Sequence, residues 1–428
     1  MQVTREQINP TTVKLTITAD QEVLKSTKET VLKRLAKQMK LAGFRPGKAP
    51  LSLVEKNTDS SLLQTEFLDE ILNQLYQGAL DKEKLRPVAQ PKVTLQKFVP
   101  FTDLEVALEV EVVGDVTLPD YKKFRLAKQP AEVADKDIDD VVENLRTRLG
   151  EKKDALRAAK NGDEVSIDFA GSDAKTKEPV KGADGKAYPL VLGSDAFIPG
   201  FESNLIGLKA GESKSFDITF PKDYGVKALQ SRKVTFEVTV SKVQEIIKPK
   251  ADAAFAAKVG PFKTLKDLQA DIRKQVTSEK QQEADRAYES KLLEMLTEGT
   301  KVAIPDVLID QEVERSEQQV RQNLNYRGQT WPEYLVDQAH TEEEYRSSLR
   351  DPAEKHVRAG LALSEVAEQE GITVTPEEFQ IRMQLLKGQY TDKTMQAELE
   401  KPETARQILS GMLTEKTMAK LTSYSETK

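Results

Sequence analysis

The side chains that carry most covalent chemistry are scarce in this chain. Among its 428 residues there is no cysteine, and the only histidines are His340 and His356, in a charged stretch of helical pattern. This excludes disulfides and thiolate metal sites, leaves no imidazole cluster spaced for a metal, and argues against a Ser-His-Asp or Cys-His nucleophile. A Walker-type phosphate loop is absent as well, so no nucleotide or other cofactor is expected. Two short stretches remain in which glycine and proline fix the backbone around aromatics and cations. The first is Gly43-Phe44-Arg45-Pro46-Gly47-Lys48-Ala49-Pro50, where Gly permits positive φ, Pro locks φ, and an aromatic and two cations sit at the tip. From Lys25 to Lys56 there are nine Lys or Arg against two acids, Glu29 and Glu55, a local net of +7 in a chain whose formal charge is -6. A basic helix and loop on an acidic molecule suits docking to an anionic partner. A plain helix-to-helix turn with solvated cations would use the same residues, so the loop alone leaves both readings open. The second stretch is Leu192-Gly193-Ser194-Asp195-Ala196-Phe197-Ile198-Pro199-Gly200-Phe201-Glu202, followed by Leu205-Ile206-Gly207-Leu208-Lys209-Ala210-Gly211-Glu212. Its aromatics either fill a small β-rich core or line a dry pocket.

The elements that must hold these stretches follow from periodicity. Length implies two to four domains. With 31% charged residues and a mean hydropathy of -0.54 the surface is extensive and solvated. No run of 18 apolar residues exists, so no membrane partner is expected, and the polar start Met1-Gln2-Val3-Thr4-Arg5-Glu6 lacks a signal-peptide core, which points to the cytoplasm. Val13, Leu15, Ile17 and Ala19 alternate as in a half-buried strand. Asp20 offers an N-cap for a helix through Leu24, Val31, Leu32, Leu35 and Met39, with Gly43 placed to end it. A second helix is expected from about Ser60 to Lys84, then strands from Lys92 to Phe98 and from Asp103 to Val113, completing an α+β head over residues 1–113. Pro119 to Pro130 reads as an extended connector, and a helix is expected from Asp135 to about Lys160; residues 114–150 join this connector to a helical body. Short strands and Gly-rich turns mark residues 151–246 as a β-rich domain, and residues 247–428 read as helical. Thr341 with Glu344 and Thr375 with Glu378 form capping boxes there.

The Ile198-Pro199-Gly200-Phe201-Glu202 segment and the Gly207-Leu208-Lys209-Ala210-Gly211-Glu212 turn, with Phe220-Pro221 and Tyr224-Gly225 after them, resemble the FKBP-type peptidyl-prolyl isomerases. The resemblance implies an antiparallel β half-barrel with a short helix and a pocket at Phe169, Phe197, Ile198, Phe201, Tyr224 and Phe236. Phe201 would be the floor under the proline ring, and the Ile198 N–H would bind a substrate carbonyl. Rotation about an X-Pro bond breaks no covalent bond; it must overcome amide resonance, a barrier of about 18–20 kcal/mol. A dry apolar pocket favours the twisted, less polar amide, so neither acid, base nor metal is needed. Two positions depart from the family pattern. Val180-Lys181 stand where many members have Phe-Asp, and the loop Gly225 to Lys233 lacks a bulky insert. The expectation is an open pocket tolerant of flanking residues, with no tight macrocyclic inhibitor binding.

With this domain between a basic α+β head and a helical tail, the whole chain resembles the trigger factor family, whose docking signature Gly-Phe-Arg-x-Gly-Lys-x-Pro is matched at Gly43, Phe44, Arg45, Pro46, Gly47, Lys48, Ala49 and Pro50. The resemblance implies a multidomain α+β protein with an all-α chaperone body, which docks at the ribosomal large-subunit tunnel exit. Ribosomal protein and rRNA would be its contacts there, and nascent and unfolded polypeptides its clients, held without ATP. A homodimer of the free molecule stays open. An isomerase whose tail dimerises or docks one specific partner, with an incidental basic loop, is the competing reading. A general nucleic-acid binder is disfavoured by the net negative charge.

Overall fold

The computed structural model describes residues 1–39, 41, 43–390 and 392–425. The chain opens with β1 (Gln2–Asn9) and β2 (Thr12–Thr18), then α1 (Gln21–Gln38), α2 (Leu51–Asn57), α3 (Ser60–Glu83), β3 (Lys92–Val99) and β4 (Asp103–Glu111). These strands make one antiparallel sheet in the order β1-β2-β4-β3. The alternation of β2 and β4 is the cause of its one-sided core. Val13, Leu15 and Ile17 lie opposite Val110, Leu108 and Val106, all buried. They pack with Phe67, Ile71 and Leu75 of α3 and Leu24 of α1. Each such side chain contributes about 1.5–3 kcal/mol on burial. Asp59 caps α3 by accepting from the Ser61 and Leu62 N–H groups.

Three local features differ from the expectation. Strand β1 leaves no strand pattern in the sequence because, as an edge strand, both its faces are mostly exposed and carry no alternation. The seven-residue α2 is too short to show a period, yet it buries Val54. Helix α1 stops at Gln38, well before Gly43, because Met39 turns to extended backbone and the Gly47 N–H folds back to donate to the Ala36 carbonyl at 2.8 Å.

Next come α4 (Asp135–Arg148), β5 (Glu151–Asp154), β6 (Glu164–Asp173), β7 (Pro179–Val191), β8 (Ser213–Thr219) and β9 (Lys233–Ile247). A helix running to Lys160 is corrected here. Residues 151–154 pair antiparallel with 244–247, and Gly150 lets the chain pass so close to Ile246 that a Cβ would lie 2.4 Å from its Cγ2. The second sheet runs β5-β9-β6-β7, with β8 also on β9. Its core gathers Val165, Ile167, Leu190, Leu192, Leu205, Val238 and Val240 around Phe201.

The remainder is helical: α5 (Ala253–Val259), α6 (Leu265–Gly299), α7 (Asp306–Arg327), α8 (Trp331–Asp337), α9 (Glu342–Gln369), α10 (Pro376–Gln389), α11 (Lys393–Leu399) and α12 (Pro402–Ser425). Both expected capping boxes form: Thr341 and Thr375 accept from the N–H groups of Glu344 and Glu378, whose carboxylates accept from the threonine N–H groups. No helix among the described residues is long and apolar enough to cross a membrane.

The chain forms two compact units. The first comprises Met1–Arg125, Leu292–Gln318 and Ser348–Ser425. In it the carboxylate of Glu370 accepts hydrogen bonds from the Tyr121 and Tyr424 hydroxyls, at 2.8 and 2.7 Å, and pairs with Lys122 at 2.8 Å. This ties the ends of α9 and α12 to the 3-10 turn Tyr121–Lys123. The second comprises Leu126–Lys291 and Gln319–Ser347. There Ile138 and Val142 of α4 pack on Phe255, Leu268 and Ile272, which joins the connector helix to α5 and α6.

Candidate functional site

The β-rich domain carries a cleft of about 450 Å³ lined by Phe169, Ala183, Phe197, Ile198, Tyr224 and Phe236, among others. Five of the six expected pocket residues therefore share one wall system, and the sixth, Phe201, lies fully buried beneath it. The Phe201 ring meets Phe197 at 4.4 Å between centroids, Phe236 at 5.2 Å, Phe216 at 5.3 Å and Phe169 at 6.1 Å. Most of these pairs are edge-on, the arrangement ring quadrupoles favour. Phe201 is thus the plug of the domain core beneath the cleft.

Local backbone features place each ring. Phe169 on β6 pairs with Gly185 on β7, and a Cβ there would lie 2.7 Å from the Phe169 Cε1, so the ring lies over bare backbone. Gly171 makes the same kind of room for Phe236. Tyr224 stands edge-on to Phe220 at 4.7 Å, and the Gln230 amide closes the following loop by donating to the Tyr224 carbonyl at 2.8 Å. That short loop folds as a 3-10 turn, Lys227–Leu229, and puts Leu229 into the lining. On β7, where the family pattern has Phe-Asp, Val180 is drawn into the core, and Gly182 and Ala183 face the cleft. The expected short helix after Gly200 is a single 3-10 turn, Glu202–Asn204.

Among the described residues the lining contains no carboxylate, imidazole or amine, and a phenol, Tyr224, is its one ionisable side chain. The Ile198 N–H donates to no acceptor among the described residues, whereas the Ile198 carbonyl accepts from Phe201. Sequence reasoning missed Tyr188, edge-on to Phe169 and Phe197 at 6.1 and 5.4 Å, and the part played by Glu202. Tyr188 falls inside the expected β-rich domain, and only its place on β7 beside Phe169 and Phe197 brings its ring to the cleft's edge. Nothing in the sequence signals that the backbone wraps round the Glu202 carboxylate.

In the head, Gly43 and Gly47 take φ of +84° and +79°, which presents the loop tip outward. Phe44 is 42% exposed, and Arg45, Pro46 and Lys48 are exposed too. The loop is anchored at both ends, since Leu41 and Ala49 pack against Val31, Leu35 and Ala36. Of the nine cations in this stretch, three are already paired. Lys28 pairs with Glu55 at 2.7 Å, Lys33 with Glu29 at 4.0 Å, and Arg34 with Glu66 and Glu70 at 2.7 Å. Arg45 and Lys48 have no ion pair among the described residues, which concentrates the unpaired charge near the loop.

Comparisons with known proteins fall into the same three parts of the chain. Residues 1–145 match the family model of bacterial trigger factor protein, residues 156–259 that of FKBP-type peptidyl-prolyl cis-trans isomerase, and residues 264–423 that of the trigger factor C-terminus. A trigger factor of Caldicellulosiruptor bescii is 35% identical over 355 residues, covering 83% of this chain and 81% of the relative. One from Carboxydothermus hydrogenoformans is 34% identical over 379 residues, covering 88% of each. A solved structure concerned with promiscuous substrate recognition in folding and assembly by the trigger factor chaperone covers all of both chains with a TM-score of 0.52 at 20% identity, a likeness of fold.

Proposed function

The chain belongs to the trigger factor family of chaperones with an FKBP-type isomerase domain, and on that premise we propose how its parts divide the work. Residues 1–113 dock at the ribosomal tunnel exit, with Gly43, Pro46 and Gly47 shaping the loop. Phe44 packs on a ribosomal protein there, while Arg45 and Lys48 pair with acidic side chains and rRNA phosphate. Residues 151–246 isomerise X-Pro bonds in emerging chains. Residues 247–428, with the connector and helix of 114–150, hold unfolded segments by many weak apolar and polar contacts. The setting is the cytoplasm, partly on ribosomes.

The observation that carries the isomerase assignment is the cleft itself: aromatic walls over Phe201 and, among the described residues, no general acid or base in the lining. Such a site can bind a proline ring and exclude water. It stabilises the twisted amide, which has lost its resonance and part of its polarity, over the planar, solvated one. The free Ile198 N–H is the donor we assign to the substrate carbonyl, and Phe169, Phe197, Tyr224 and Phe236 hold the ring over Phe201. The open rim, with only Leu229 and a 3-10 turn beyond Tyr224, supports broad tolerance of the residues flanking proline.

Replacing Phe44, Arg45 and Lys48 together by alanine separates this reading from a dedicated isomerase with an incidental loop. Cosedimentation with ribosomes should collapse, while isomerisation of a proline peptide stays at the parent rate. A variant that still sediments like the parent refutes the docking assignment.

A further inference from the structure

Glu202 is a buried acid with no cation beside it. It is 8% exposed, and no Lys, Arg or His pairs with it among the described residues. An isolated carboxylate in such a place must be compensated by hydrogen bonds. The compensation comes from backbone. Oε2 accepts from the Gly193 N–H at 2.6 Å and the Asp195 N–H at 3.3 Å. Oε1 accepts from the Ala196 N–H at 2.9 Å and the Phe197 N–H at 3.3 Å, and the Ser194 hydroxyl approaches it at 3.4 Å.

The segment is bent to allow this. Gly193 has φ of +88° and the non-glycine Asp195 +54°, so the N–H groups of Gly193, Asp195, Ala196 and Phe197 converge on one carboxylate, as amides in such conformations do round an anion, while the Ser194 N–H donates to the Val191 carbonyl. The residues that follow are Phe197 and Ile198, both in the cleft wall. The peptide planes on the N-terminal side of Ile198 are therefore held by a side chain that itself sits next to Phe201.

We propose that Glu202 is the positioning residue of the isomerase site: its carboxylate organises the 193–197 turn so that the Phe197 ring and the Ile198 N–H are set before substrate arrives. The inference rests on the isomerase reading above. It differs from simple loop stabilisation in what it demands. A preset donor improves binding of the carbonyl in ground and transition states alike, so losing it raises KM with little change in kcat. General destabilisation would instead lower the active fraction, and with it the apparent kcat.

The test uses the full chain with Glu202→Gln. One carboxylate oxygen becomes an NH2 group facing N–H donors, so part of the nest is left unsatisfied. We expect kcat/KM on a proline peptide to fall about 10- to 100-fold, mainly through KM, with sheet amide resonances of β6 and β9 unmoved. A kcat/KM within twofold of the parent, or a loss confined to kcat, overturns the proposal. Should the variant fail to fold, the parent decides. Titrated with the same peptide, its Ile198 amide resonance should shift strongly while those of Gly193, Asp195 and Ala196 hold. Nest resonances that move as much as Ile198 mean the turn forms on binding, which refutes presetting. A parent with no isomerase activity would refute the underlying reading instead, a distinguishable outcome.

Discussion

Phe201 and Tyr224 both belong to the cleft, yet their truncations should fail in different ways. Phe201 is fully buried and touches four other aromatic rings, so Phe201→Ala leaves a ring-sized cavity at the centre of the domain core. The expected cost is about 3–5 kcal/mol. Domains have only about 5–15 kcal/mol in hand, and each kcal/mol lowers the midpoint of a small domain by about 4–8 °C. The isomerase domain of the variant should therefore melt at least about 12 °C below the parent. Tyr224 is half-buried at the rim and rests mainly on Phe220. Its removal should cost about 1 kcal/mol of stability, the lower end of a surface-proximal aromatic contact. Both substitutions should remove most activity on a proline peptide, followed by NMR exchange between cis and trans forms. Suppression of aggregation of a denatured client, the task proposed above for the helical body, should survive in both. The reasoning fails if Phe201→Ala melts with the parent, or if Tyr224→Ala keeps its isomerisation rate.

Gly185→Ala should lower isomerisation several-fold with little loss of thermal stability, since the new Cβ would lie 2.7 Å from the Phe169 ring; unchanged peptide kinetics would show that the ring has other room. Gly47→Ala keeps every charge of the proposed docking loop but places a side chain at φ of +79°, 3.2 Å from Lys37 Cγ. The left-handed conformation costs an L-residue about 1–2 kcal/mol, so ribosome cosedimentation should weaken although the loop's charge is intact. The Glu370 carboxyl is lowered from 4.5 to about 2, first by the Lys122 ammonium and then by the Tyr424 and Tyr121 hydroxyls. Its stabilisation is full above about pH 4.5 and is lost as pH falls toward 2. Melting curves of the parent should show that acid loss, and Glu370→Gln should lack it.

The regular parts of the fold were legible where one face is buried and the other wet. Strands β2 and β4 announced themselves by alternation, and α3 by Leu63, Phe67, Ile71 and Leu75. Strand β1 and helix α2 were not legible, the one because an edge strand has no dry face, the other because seven residues make two turns. The overrun of α4 has a different cause. Glu151 to Lys160 is rich in good helix formers, but pairing with the end of β9 outweighs propensities of a few tenths of a kcal/mol per residue. Leu149, 43% exposed, and Leu156, 99% exposed, have no helical face to bury.

The candidate site divides along the same line. Side-chain identity was readable, because a pocket that works without acid or base needs only aromatics at fixed positions, and those stand in the Ile198-to-Glu202 segment and on β6 and β9. Backbone direction was not readable. Whether the Ile198 N–H is free depends on where the amides of 193–197 point, and that is set by a carboxylate five to nine residues further on. The loop of residues 43–50 shows the converse. Its glycines and prolines are visible in the sequence, but the partners of its cations are not: Lys28 and Lys33 pair with the two acids of the stretch, and Arg34 with Glu66 and Glu70 from outside it. With the unpaired cations near the tip limited in this way, the salt dependence of ribosome association should be shallower than nine released counterions would give. A logarithmic slope set by Arg45 and Lys48 and a few neighbours is the expected result, and removing those two residues should account for most of it. A slope that stays steep after Arg45→Ala and Lys48→Ala would place the contact elsewhere on the head.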